Sequence, residues 1–152
     1  MDISKHLHKE HIVIPLKCES KFQAIEELVN ALHRSRRLND RDLALKDVLE
    51  REGYSSTGLE KGLAIPHSKT DGVSGLEIAL GISPEGIDFE SLDGKPARLI
   101  FLVLSPRNTS GPHIQALAVI SRNLKKNELR EKLEKASSAK EVMQIIREDF
   151  EN

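Results

Sequence analysis

The chain has 152 residues, 38% of them hydrophobic and 31% charged, with a formal net charge of −1. That length and balance fit one soluble domain, residues 1–152, able to bury a core without metals or disulfides. The near-neutral charge gives no basic excess to hold a phosphate backbone, and 3% aromatic content with no Trp gives no base-stacking surface, so nucleic acid is excluded as the main partner.

The N-terminus, Met1-Asp2-Ile3-Ser4-Lys5-His6, has no apolar stretch of the kind found in secretory signals. Residues His11 to Leu16, rich in Ile and Val, predict a short strand ended by Pro15. Cys18 is the one cysteine, so no internal disulfide forms and a reducing compartment is expected. Ser20-Lys21-Phe22-Gln23 fits a capping box, and behind it Phe22, Ile25, Val29 and Leu32 fall on one helical face. The basic run Arg34-Ser35-Arg36-Arg37 decorates that helix's end. Asn39 or Asp40 caps a second helix carrying Leu43, Ala44, Val48 and Leu49, expected to fray at Gly53. Ser55-Ser56-Thr57-Gly58 reads as a turn whose hydroxyls or N–H groups suit an anion.

Leu63 to Ile65 predicts a strand that stops at Pro66. Leu76 to Ile82 alternates and reads as another, with Ile87-Asp88-Phe89 as a short edge piece. Leu99 to Leu104 is continuously apolar, which suits a central strand covered on both faces. No apolar run reaches the ~20 residues that cross a bilayer, so the expected location is the cytoplasm without membrane insertion. Ser110-Gly111-Pro112-His113 opens a helix whose apolar face is read as Ile114, Leu117, Ala118, Ser121 and Leu124. Asn127 caps a short helix with Leu129 and Leu133, and Ser138-Ala139-Lys140-Glu141 is a second capping box before Val142, Ile145, Ile146 and Phe150. Strands interleaved with helices predict an α/β sandwich: a mixed, mostly parallel sheet of about five strands with helices on both faces.

Chemistry concentrates at three residues. His67 follows the strand that stops at Pro66, His113 lies in the first turn of the helix after the most buried strand, and Arg51 ends the helix leading into the His67 segment. Functional groups in open α/β sheets gather outside strand ends, so adjacent strands would bring both imidazoles to one crevice. With a helix N-terminus and an arginine beside them, they suit a phosphoryl group carried on a histidine. Taken singly, Pro66-His67 also fits a loop cap, Arg51 a surface ion pair, and His113 a helix-start hydrogen bond to a loop. A two-histidine metal hydrolase is the rival reading. Yet His67 and His113 stand 46 positions apart with no Cys or close His partner, and no Gly-x-Ser-x-Gly elbow is present. His6, His8, His11 and His33 have no comparable context.

Tyr54-Ser55-Ser56-Thr57-Gly58 followed by Gly62-Leu63-Ala64-Ile65-Pro66-His67 resembles the phosphorylation-site segment of enzyme IIA domains of the phosphoenolpyruvate-dependent sugar phosphotransferase system, fructose/mannitol class. Glu85 to Pro96 resembles the following segment of fructose-type members, and His113 with Leu117 resembles their second histidine helix. The resemblance covers nearly the whole chain. It implies that His67 is phosphorylated by the phosphocarrier HPr or a paralogue, with His113 and Arg51 supporting and Ser56 and Thr57 flanking the phosphate. It implies no metal and no cofactor. The recipient would be a IIB domain of a fructose-like permease, or a regulatory target such as a kinase or a transporter in the nitrogen-related paralogues. With no IIB or IIC segment in the sequence, onward transfer is expected to be intermolecular. Two positions depart from the family pattern. Glu60 replaces a small residue and would put an anion near the site segment, and Ser68 replaces the glycine or alanine usual after the histidine.

Overall fold

A computed structural model describes residues 1–152. Two short 3-10 turns, Ile3–Lys5 and Lys9–His11, lead into strand β1 (Ile12–Val13). Helices α1 (Lys21–Arg34) and α2 (Arg41–Tyr54) come next, then β2 (Leu63–Ala64), β3 (His67–Lys69), β4 (Glu77–Ile87) and β5 (Ala97–Ser105). Helices α3 (Gly111–Asn123), α4 (Asn127–Lys135) and α5 (Ala139–Asp149) complete the chain.

The five strands form one sheet in the order β1-β4-β5-β2, with β3 also on β5. β1 runs parallel to β4, β2 and β3 run parallel to β5, and β4 and β5 are antiparallel, so the sheet is mixed and mostly parallel as expected. β5 divides two cores. Leu99, Phe101 and Val103 join the one containing residues of α3, α4 and α5, while Ile100, Leu102 and Leu104 join the one containing residues of α1 and α2. A strand buried on both faces has no use for polar alternation, which is why this run reads as unbroken apolar sequence.

The caps are as local chemistry dictates. Ser20 accepts from the Gln23 N–H, Asp40 from Leu43, and Ser138 from Glu141. The far halves of the two expected capping boxes are displaced by one residue: Gln23 accepts from Glu19, and Glu141 from Ser137. α4 is capped at Lys126, with Asn127 as its first residue.

Several boundaries differ from the sequence expectation. β1 stops at Val13 rather than Leu16, because Pro15 has no N–H for the ladder, although Leu16 still donates to Ile82 at 2.9 Å. α2 runs through Gly53 to Tyr54. The strand read as ending at Pro66 is interrupted there and resumes as β3, because the Pro66 carbonyl still accepts from Val103 at 3.0 Å. β4 continues past Pro84 to Ile87 through a register shift and takes in only Ile87 of the expected edge piece, while Asp88 and Phe89 lie outside any strand. Two helix faces also differ. Phe22 is 44% exposed, and Ala24 and Leu28 take its place in the core. On α3 the buried stripe is His113, Ala116, Val119, Ile120 and Asn123, while Ile114 is exposed. Two polar residues on that stripe hide it from any reading based on hydrophobic period alone.

Phe101 is fully buried in the middle of β5. Phe101→Ala should lower stability by about 3–5 kcal/mol, read from the midpoint of urea unfolding.

Candidate functional site

His67 opens β3, in register with Val103 on β5. Aligned partners share a face, and Val103 belongs to the core that holds α3, so the imidazole lies on the α3 side of the sheet. Its Nδ1 sits 2.7 Å from the Ile65 carbonyl oxygen. A carbonyl can only accept, so Nδ1 carries the ring proton and Nε2 keeps a free lone pair.

His113 is the third residue of α3. Its ring meets that of His67 edge-on, with centroids 5.6 Å apart, and its Nδ1 lies 2.6 Å from Ser105 Oγ at the end of β5. Burial lowers the pKa of both rings. For His67 the Arg51 charge adds to that effect, against the pull of the Ile65 hydrogen bond and of Glu52. His113 is pushed down to about 4 by burial, with His67 and Lys69 adding to it. Near pH 7 both imidazoles are therefore neutral.

Arg51 stands in the last turn of α2 and donates from Nη1 to the Ser55 carbonyl at 3.0 Å. It shares an open cleft of ≈ 220 Å³ with His67, Ser56, Thr57, Leu59 and Leu117. The sequence-predicted residues thus come together, with one distinction. His113 stands against the His67 ring and is not part of the cleft wall.

Ser56 and Thr57 line the cleft with their hydroxyl protons already used. Ser56 Oγ donates to the Phe89 carbonyl and accepts from the Gly58 N–H at 3.0 Å. Thr57 donates both its N–H, at 2.9 Å, and its hydroxyl to the carboxylate of Glu52. Gly58 is required beside them, because a Cβ there would stand 2.8 Å from the Phe89 carbonyl. The residues that depart from the family pattern lie aside. Glu60 borders a neighbouring groove with Lys61, Leu63 and Leu92. Ser68 is buried and in register with Leu104, which belongs to the opposite core.

Three participants escaped the sequence reading. Glu52 is buried at 2% exposure, and its place four residues after Val48 and eight after Ala44, on the buried stripe of α2, was the signal that separates it from Glu50. Ser105 holds His113. Lys69 donates to Ser110 Oγ at 2.7 Å and ties the end of β3 to the start of α3, whose N-cap side chain makes no capping bond. The alternation of His67 and Lys69 on one face of a strand was the available signal, but it was masked by reading the strand as ending at Pro66. No group of three or more His, Cys, Asp or Glu side chains is placed to hold a metal ion. No helix is long and apolar enough to cross a membrane.

The family model for the phosphoenolpyruvate-dependent sugar phosphotransferase system, EIIA 2, matches residues 5–149. The chain is 41% identical over 150 residues to the PTS system fructose-specific EIIA component of Haloferax volcanii, covering 99% of this chain and 97% of that protein. It is 38% identical over 146 residues to the PTS system fructose-specific EIIABC component of Bacillus subtilis, covering 96% of this chain but only 23% of that protein. Among solved structures, the nitrogen regulatory protein IIA-Ntr of Neisseria meningitidis superposes with a TM-score of 0.83 at 33% identity, over 95% of this chain and 98% of that one.

His113 supplies a pH test of the site's packing. A free histidine titrates near 6.5, whereas folded His113 takes its proton only at about 4. The unfolded chain therefore binds the extra proton between those values, and stability is full above pH ~6.5 and lost as pH falls toward ~4. Replacing His113 by Asn should remove about 2 kcal/mol of the stability difference between pH 7 and pH 4.5, measured by urea unfolding at both.

Proposed function

We infer that this chain, which belongs to the phosphoenolpyruvate-dependent sugar phosphotransferase system EIIA 2 family, is a phosphocarrier that takes a phosphoryl group on Nε2 of His67. The donor is a phosphohistidine on HPr or a paralogue, and the acceptor is a IIB domain of a fructose-like permease. The observation that carries this reading is the fixed tautomer of His67: its proton is held at Nδ1 by the Ile65 carbonyl, and Nε2 is free beside Arg51 in an open cleft.

The Nε2 lone pair attacks phosphorus as the donor's N–P bond breaks, and the donor nitrogen leaves with that electron pair. Positive charge growing on the His67 ring is met by the Ile65 carbonyl through the Nδ1 proton. Negative charge on the passing phosphoryl oxygens is met by the Arg51 guanidinium. His113, anchored by Ser105, fixes the plane of the His67 ring and adds no competing positive charge. Ser56 and Thr57 support the phosphate as walls of the cleft, since their hydroxyl protons are bonded inward. The same exchange run in the opposite direction hands the group to the acceptor. We place this exchange in the cytoplasm, as expected of the EIIA family.

A second reading has its own support. Its observation is the similarity to nitrogen regulatory proteins, 33% identical over 95% of the chain in the Neisseria case. There His67 is still phosphorylated, and the output is phosphorylation-dependent binding of a target protein. Rapid transfer from the phosphorylated protein to a fructose-type IIB favours the first reading. No transfer, together with a target bound in only one phosphorylation state, favours the second.

Incubation with phosphoenolpyruvate, enzyme I and HPr should label one residue, His67, and His67→Ala should take up nothing. Label mapped to any other residue would overturn the assignment. Arg51→Gln should still be labelled on His67 but about 10–100-fold more slowly. Because burial holds His67 below the ordinary value near 6.5, the reactive neutral ring persists as pH falls through 6.5. The labelling rate, with pre-phosphorylated HPr as donor, should stay level from pH 8 to 6.5 and fall only below that.

A further inference from the structure

Arg51 and Glu52 are neighbours at the end of α2 with opposite fates. Arg51 faces the cleft, while the Glu52 side chain is 1% exposed. A carboxylate taken out of water is costly unless its oxygens are bonded. Glu52 meets that demand three times. Oε2 accepts from Lys21 Nζ at 3.4 Å and from the Thr57 N–H at 2.9 Å, and Oε1 accepts from the Thr57 hydroxyl. Lys21, itself with a side chain only 9% exposed, is held from outside by Glu90 at 2.9 Å.

From Thr57 the bonding runs on to the nucleophile. The Thr57 carbonyl accepts from the Ile65 N–H at 3.1 Å, and the Ile65 carbonyl accepts from His67 Nδ1 at 2.7 Å. Leu59 donates to Leu63 at 2.8 Å within the same small ladder, so residues 57–59 and 63–65 are tied to each other by backbone bonds. The orientation of the Ile65 carbonyl decides which ring nitrogen of His67 carries the proton. If that carbonyl turns away, the proton can settle on Nε2, which then has no lone pair for phosphorus.

We propose that Glu52 is a positioning residue for His67. Held by Lys21, it anchors Thr57, and through the backbone of Thr57 and Ile65 it keeps the His67 proton on Nδ1 and Nε2 free. This inference rests on His67 being the phosphoryl acceptor, but its direct observable, the tautomer, does not require phosphorylation.

The test replaces the ion pair by apolar residues, Lys21→Met/Glu52→Leu, a change that buried pairs often tolerate without loss of fold. Glu52→Gln serves as the conservative partner, since its carbonyl can still accept from the Thr57 N–H. Nitrogen-15 spectra of the His67 ring report the tautomer in each folded variant, with circular dichroism as the check of folding. Wild type and Glu52→Gln should show a proton on Nδ1 alone. The double variant should show a mixture, and its maximal rate of labelling from phosphorylated HPr should fall about tenfold with KM for the donor within about twofold. A double variant that folds and keeps both the single tautomer and the wild-type rate overturns the proposal. If the double variant does not fold, Lys21→Met/Glu52→Met, whose unbranched side chains refill the same space and likewise cannot accept from the Thr57 N–H, must shift the tautomer ratio in the same direction, and an unchanged ratio there also overturns it. Wild-type protein that takes no label while the variants still alter the tautomer would sink the phosphocarrier reading and leave this one standing.

Discussion

β5 is buried on both faces along its apolar run, and its carboxyl end locates the chemistry. β3 aligns His67 with Val103 on that strand. Ser105, the last residue of β5, holds His113. α3 begins six residues later at Gly111 and brings His113 back over the same strand end. A strand with a core on each side cannot slide by one residue without turning its apolar side chains, though here both faces are apolar and that constraint is weak. The register is fixed instead by its neighbours, and β4 pairs with it from Glu77 through Ile82 before the shift toward Ile87. The two histidines therefore inherit their spacing from the most deeply packed element of the molecule.

The electrostatics of the site follow from that placement. Imidazoles set over a packed core lose hydration, and losing hydration disfavours their charged forms. Two adjacent cations would repel, so the edge-on pair is a neutral pair. The cation that the site does offer, Arg51, comes from a helix end with exposure to water and a tie to the Ser55 carbonyl. The permanent charge is thus kept in the solvated rim, and the buried rings are left neutral.

Much of this was legible in the sequence. The unbroken run Leu99 to Leu104, the caps at Ser20, Asp40 and Ser138, and the run from Gly62 to His67 follow from local rules. Length pointed to one domain, and strands interleaved with helices pointed to the α/β class. What escaped had specific causes. The stripe of α3 carries His113 and Asn123 among its buried positions, so hydrophobic period pointed to a face rotated from it, on which Leu124 is buried and Leu117 packs against the core but Ile114 is exposed. Pro66 reads as a stop, yet a proline removes only one N–H while its carbonyl still joins the ladder, so β3 and with it Lys69 were missed.

Glu52 is the most instructive omission. Residue type assigns a carboxylate to the surface by default, because isolated buried carboxylates are rare, and here that default outweighed the helix period that sets Glu52 on the face of Ala44 and Val48. The exception needs partners far away in sequence, and here Lys21 lies 31 positions upstream at the start of α1. Such a pair contributes little net stability compared with apolar residues of the same size, since desolvation offsets most of the attraction. Its presence inside a domain otherwise packed with aliphatic side chains therefore points to a role other than stability. The bonds that leave it indicate that role: they end on a threonine backbone one ladder rung from the carbonyl that sets the His67 tautomer. A core of Leu and Ile could hold α1 against α2 equally well, but it could not direct a hydrogen bond toward the backbone of the site.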